Sequence, residues 1–194
     1  MAMRLGAVLL AAGKGTRFGA NKLLAGYRGR PMICAALDAM RQSSAARMAV
    51  VVSCGETAEL VKAYGYEVIW NDSPEAGQSH SVALGVGSMR DMDAVLLLAA
   101  DQPRLTGESL AHLIAQFLQS GKGLACLCDE THRGNPAVFS AAYYKELLTL
   151  SGDRGAKGIL RAHEDDLLVV DCLYPRELAD ADTPQALAAL AVQD

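Results

Sequence analysis

Thirteen residues, LAAGKGTRFGANK, place Gly13, Lys14, Gly15, Arg17, Gly19 and Lys22 directly behind the apolar run at 5–11. Glycines let backbone N–H groups approach a ligand closely, and lysine and arginine neutralise anionic charge. Together at the end of a buried strand they suit a polyphosphate. Two familiar phosphate loops fail on spacing. No GxxxxGK followed by Ser or Thr occurs, and a GxGxxG fingerprint would need glycine where the chain has Phe18. The first helical pattern waits until Pro31, so amides and cations, rather than a helix dipole, would carry the phosphate charge. A second candidate is Asp101, which ends the apolar run 94–100 and precedes Gln102-Pro103. By type and spacing it is equally a turn-forming aspartate or a ligand for a divalent cation. No Ser/His/Asp or Cys/His set suggests a covalent nucleophile. The odd five cysteines are widely spread; Cys126 and Cys128 face opposite sides of a strand, and all five read as reduced, mostly buried thiols.

The elements that must carry these residues alternate along the chain. Short apolar runs at 5–10, 48–53, 67–70, 94–100, 124–127 and 167–170 read as strands. Helical patterns fall at 31–41, 56–64, 79–89, 107–119 and 141–150, and Thr183-Pro184 opens a last helix to residue 191. Pro31 suits a first helical turn, and Thr106 is a candidate cap for the helix after it. The alternation predicts an α/β fold, a parallel or mostly parallel sheet covered by helices on both faces. In such sheets ligands bind outside the carboxyl ends of the strands. That rule selects residues 13–22 and Asp101-Gln102-Pro103.

Bulk properties narrow the class. A chain of 194 residues, 51% hydrophobic and 21% charged, favours one ordered domain spanning 1–194. A net charge of −4, with scattered basic residues, argues against a nucleic-acid partner. No apolar run approaches the roughly 20 residues that span a bilayer, so no membrane partner is expected. The N-terminal residues lack a secretory layout, and the cytoplasm is the expected location.

The opening stretch resembles the signature LAAG-x-[GS]-x-R-[MF]-G-x-x-K of nucleotidyltransferases with the nucleotide-diphospho-sugar transferase fold. GQSHSVALGV at 77–86, LLAADQP at 97–103, RGNPAVF at 133–139, GDRGAK at 152–157 and DADTPQAL at 180–187 follow in order. The set is similar to the MobA-like family, and within it to the molybdenum cofactor cytidylyltransferases. The resemblance implies a three-layer α/β/α, Rossmann-like fold and transfer of CMP from CTP to the phosphate of molybdopterin. A molybdenum hydroxylase would be a transient client.

It also implies roles. Leu10, Ala11 and Ala12 would line the base pocket, and Gly13 and Gly15 would offer amides to the phosphates. Arg17 and Lys22 would contact the triphosphate, Lys22 at the α-phosphate. Asp101 becomes a ligand of Mg²⁺, with Asp182, or alternatively Asp180, as the second carboxylate. Gln78, Ser79 and Ser81 would read base and ribose, with His80 a weaker candidate. Asn135, Pro136, Gly152, Asp153, Arg154 and Lys157 would form the acceptor side. Guanylyl-transferring relatives read LAGG where this chain has Ala12, whose methyl group narrows the pocket towards a pyrimidine. Alternatives are molybdopterin guanylyl transfer and sugar-1-phosphate nucleotidyl transfer. More remote are a flavin or nicotinamide oxidoreductase and a non-catalytic cofactor carrier.

Overall fold

The structure is a computed structural model that describes residues 3–13, 18, 21–152 and 155–192. The apolar run behind the glycine-rich stretch forms β1 (Leu5–Ala11), buried along almost its whole length. Such a strand requires cover on both faces. A small antiparallel hairpin, β2 (Gly26–Tyr27) and β3 (Arg30–Pro31), follows, then α1 (Ile33–Arg41). Next come β4 (Arg47–Val52), α2 (Gly55–Ala63), β5 (Glu67–Trp70), α3 (Gln78–Ser88), β6 (Ala94–Ala99) and α4 (Gly107–Ser120). The chain continues through β7 (Leu124–Cys128), β8 (Arg133–Ser140), α5 (Tyr144–Leu148), α6 (Lys157–Ala162), β9 (Leu167–Asp171) and α7 (Pro184–Val192).

The main sheet runs β5-β4-β1-β6-β8-β7-β9. β1 pairs in parallel with β4 and β6, β4 with β5, and β7 with β9. β8 is antiparallel to both its neighbours. The result is the expected mostly parallel, three-layer sheet of the nucleotide-diphospho-sugar transferase type. Leu5, Ala7, Leu9 and Ala11 of β1 pack into one core with α1 and α4, while Val8 packs on the other face with α3. On that second face Gly85 lets α3 lie flat on β1. A Cβ there would sit 2.5 Å from Val8 Cγ1, so any larger residue would lift the helix and its N-terminus away from the strand end.

Two local expectations are corrected, and one strand is added. Pro31 belongs to β3, and α1 begins only at Ile33, because the hairpin takes the residues before it. The segment 141–150 is a 3₁₀ turn (Ala141–Tyr143) followed by the short α5. Most consequentially, RGNPAVF, which has no strand pattern in the sequence, forms all but the last residue of β8. Proline masks a strand in a sequence because it cannot donate to the ladder. Here Pro136 sits where the β7–β8 register shifts, between Cys126↔Ala137 and Cys128↔Arg133. The Thr106 cap is present, its Oγ1 accepting from Ser109 N at 3.2 Å. All five cysteines are free, with Cys34 and Cys126 buried and the other three half-buried.

Candidate active site

A cavity of about 870 Å³ opens at the carboxyl ends of β1 and β6. Leu10, Ala11, Ala12 and Gly13 form one wall, with Ala12 only 3% exposed. Ser53, just past β4, donates its Oγ–H to Ala12 O at 3.2 Å and fixes the turn. Gln78, Ser81 and Val82 of α3 form a second wall. Ser81 is held by Asn71, whose Nδ2 donates to its Oγ at 2.9 Å. Ser79 is buried off the cavity wall, and its backbone N–H donates to Gly152 O at 3.2 Å. His80 is half-buried and also lies off the wall.

The charged centre is built from three separate segments. Lys22 opens a 3₁₀ turn (Lys22–Leu24) whose cap, Asn21, accepts from Leu23 N and donates to Thr57 Oγ1 on α2. The buried Leu23 anchors the turn from the other side. So held, Lys22 Nζ donates to Asp101 Oδ2 at 2.8 Å and to Asp182 Oδ1 at 3.1 Å. The lysine side chain is 12% exposed, Asp101 25% and Asp182 49%. Burial works against the ammonium, but the two carboxylates outweigh it and raise the Lys22 pKa. Asp180 lies on the cavity wall beside Asp101. Burial and the Asp101 charge push its carboxyl pKa up, against a hydrogen bond from Gln102.

The segment bearing Asp180 and Asp182 is fastened to the Asp101 turn. Ala181 N donates to Asp101 O at 2.8 Å, and Gln102 Nε2 donates to Leu178 O at 3.1 Å. Glu177, 1% exposed, accepts from Thr106 N, Thr106 Oγ1, Ser109 Oγ and Tyr174 N. That carboxylate ties the segment to the start of α4.

The remaining wall holds Gly134, Asn135, Ala137 and Phe139 of β8, and Gly155, Ala156 and Lys157 at the start of α6. Because β8 is antiparallel, its first residues arrive at the edge where the parallel strands end. Asn135, Ala137 and Phe139 alternate onto the cavity face, whereas Pro136 is buried off the wall. Gly155 meets α3 closely; a Cβ there would stand 2.5 Å from Gln78 Oε1. Gly152 has φ +67°, left-handed backbone suited to glycine, and lies off the wall. Gly15, Arg17, Asp153 and Arg154 lie outside the described residues.

Two carboxylates with a cation already between them are a donor set that fits a hard divalent ion completed by water. The Lys22 ammonium stands in for such a cation. Among the described residues no group of three or more His, Cys, Asp and Glu is placed to hold a metal. The sequence reading missed Asn21, Asn71, Gln102 and Glu177 as supports. Only Gln102 carried a signal, a polar residue fixed between a strand-end aspartate and a proline.

A mostly parallel sheet with carboxylates and a lysine gathered at its strand ends is the architecture of a nucleotide-binding α/β protein. The chain belongs to the MobA-like NTP transferase family, whose model matches residues 7–167. It is 31% identical over 159 residues to a probable molybdenum cofactor guanylyltransferase of Pyrococcus horikoshii, covering 80% of this chain and 78% of that one. It is also 31% identical over 191 residues to the purine catabolism protein PucB of Bacillus subtilis, covering 92% and 91%. A Mycobacterium tuberculosis H37Rv protein crystallised in complex with manganese shares the fold, with a TM-score of 0.77 at 24% identity over 97% of this chain and 98% of that one. Among the described residues no helix is long and apolar enough to cross a membrane.

Proposed function

We propose that this protein, acting as one domain in the cytoplasm, transfers CMP from CTP to the phosphate of molybdopterin with release of pyrophosphate. The observation that carries the reading is the Lys22 ammonium held between Asp101 and Asp182 beside a cavity with Asn135 and Lys157 across it. An oxygen of the acceptor phosphate forms a bond to the α-phosphorus of CTP. The bond to the bridging oxygen breaks, and its electron pair leaves with pyrophosphate. The acceptor oxygen is already ionised, so no general base is needed, and catalysis reduces to alignment and charge neutralisation.

Mg²⁺, held by Asp101 with Asp182 or Asp180, supplies neutralisation of the donor phosphates when bound. Arg17 and Lys22 bind the triphosphate, Lys22 where charge develops at the α-phosphate. Gly13 and Gly15 bring amides to the phosphates, Leu10, Ala11 and Ala12 line the base, and Gln78 and Ser81 read base and ribose, with the buried Ser79 behind them. Asn135 and Lys157, with Asp153 and Arg154, hold the acceptor. The product passes to a molybdenum hydroxylase client.

Ala12, buried at the base wall, supports a pyrimidine donor. GMP transfer from GTP is the second reading, favoured by the likeness to the Pyrococcus horikoshii guanylyltransferase. Incubation with each of the four triphosphates, Mg²⁺ and molybdopterin separates the two. CTP is expected to give the fastest pyrophosphate release. A preference for GTP overturns the base assignment, and no release with any triphosphate overturns the transfer itself.

A further inference from the structure

Gln102 is 4% exposed, yet it lies on the wall of the cavity and its amide is spent on three partners, Leu178, Asp180 and Asn135. Its Nε2 donates to Leu178 O at 3.1 Å, and its Oε1 accepts from Asn135 Nδ2 at 2.9 Å. The polarity of this chain of bonds is forced. A backbone carbonyl can only accept, so the Gln102 nitrogen must face Leu178 and its oxygen must face Asn135. Only the nitrogen of the Asn135 amide can answer that oxygen, which leaves Asn135 Oδ1 as the group directed elsewhere. Asn135 itself stands on the cavity wall. Ala181 N and Glu177 also fasten the carboxylate segment, so Gln102 is not its sole support.

We propose that Gln102 is a positioning residue for the acceptor. It sets the orientation of the Asn135 amide so that a hydrogen-bond-accepting oxygen faces the cavity. The site therefore selects an acceptor that presents N–H donors on its ring system as well as a phosphate. The inference rests on the acceptor side assigned under the proposed function and adds the reason for its polarity. A buried amide free to flip would offer donor or acceptor indifferently; one locked through Leu178 discriminates, because a mismatched group would be left unpaired.

A double-mutant cycle tests it, with CTP, Mg²⁺ and molybdopterin as substrates and thermal melting as the check on folding. Gln102→Met is expected to raise the acceptor KM about 10-fold, the loss of one oriented hydrogen bond, with kcat within about twofold. CTP affinity, measured by calorimetry without acceptor, is expected to stay put. In an Asn135→Ala background the same change is expected to add nothing, because Gln102 acts through Asn135. Equal effects in both backgrounds, or a matching loss of CTP affinity, overturn the inference. If Gln102→Met does not fold, Asn135→Ala alone takes its place. It removes the oriented oxygen, so the acceptor KM is expected to rise about 10-fold with CTP affinity unmoved, and an unchanged value overturns the inference. Failure of the wild-type protein to release pyrophosphate refutes the proposed function instead; wild-type turnover with an unmoved Gln102 variant refutes only this inference.

Discussion

Replacing Lys22 by methionine keeps most of the length of the side chain and deletes its charge. Two quantities then change for different reasons. In the folded protein the ammonium lies 2.8 Å from Asp101 and 3.1 Å from Asp182. The gross attraction at such distances is several kcal/mol at an effective dielectric of about 20. Burying the lysine offsets much of it, and Asp182 is half in water. The net loss of stability is therefore about 1–2 kcal/mol, short of unfolding a domain of ordinary stability. The effect on turnover is expected to be larger, because on the proposed reading the ammonium meets charge that develops at the α-phosphate in the transition state. Loss of one such group lowers kcat about 100-fold or more, while the CTP concentration at half-maximal rate moves much less. A third consequence separates this reading from a general loss of the site. With the ammonium gone, Asp101 and Asp182 no longer have a competing cation. Mn²⁺ binding measured without nucleotide, by paramagnetic resonance, should tighten as kcat falls. Steady-state pyrophosphate release, urea unfolding and the Mn²⁺ titration are read side by side. A folded Lys22→Met variant with kcat within threefold of wild type would refute the reasoning.

Asp101→Ala should abolish Mg²⁺-dependent turnover while leaving the circular dichroism of the fold intact, and wild-type turnover would remove Asp101 from the metal site. Of the two later carboxylates, Asp182→Asn should lower activity more than Asp180→Asn; the reverse ranking, measured in the same assay, would exchange their roles. Ala12→Gly should widen the base pocket and let GTP compete with CTP, by about tenfold at most, since one methyl group contributes about 1 kcal/mol. Competition in pyrophosphate release checks it, and an unaltered CTP:GTP ratio counts against a base contact at Ala12. Finally, the raised Lys22 pKa stabilises the folded state fully below the unfolded value of 10.5 and is lost as pH rises through the folded value. Urea midpoints should therefore fall more steeply above about pH 10.5 in wild type than in Lys22→Met; parallel curves would contradict the shift.

The sheet was legible in the sequence because its strands are continuous apolar runs, and β1 and β6 could be read with almost their true limits. β8 was not, because Gly134 and Pro136 are the residues that ordinarily break a strand. That one omission hid the geometry of the acceptor side. Without an antiparallel strand there is no reason for residues at the start of an element to sit where other strands end. Lys22 and Asp101 stood out by charge against apolar surroundings. Their direct pairing did not, since it depends on an Asn21 cap and an α2 contact that no local pattern encodes. Glu177 was invisible for the opposite reason. A lone glutamate in a polar segment looks solvated until four donors are found around it.

The triad of Lys22, Asp101 and Asp182 also carries a message about the order in which the chain can become competent. Its two bonds join residues 79 and 160 positions apart in the sequence. Doubling a loop adds only about 0.6 kcal/mol of closure entropy, so the longer link is affordable once the chain is complete. During synthesis it is not yet possible. A ribosome that has released β1 through β8 has exposed the glycine-bearing turn, Lys22, Asp101 and Asn135, but neither Asp180 nor Asp182. The last carboxylates arrive just ahead of α7, beyond the stretch matched by the family model. A nascent or truncated chain can thus own most of the sheet and still lack the carboxylate that completes the Lys22–Asp101–Asp182 cluster. Competence comes only once residues 180–182 have emerged and folded back against Lys22 and the Asp101 turn.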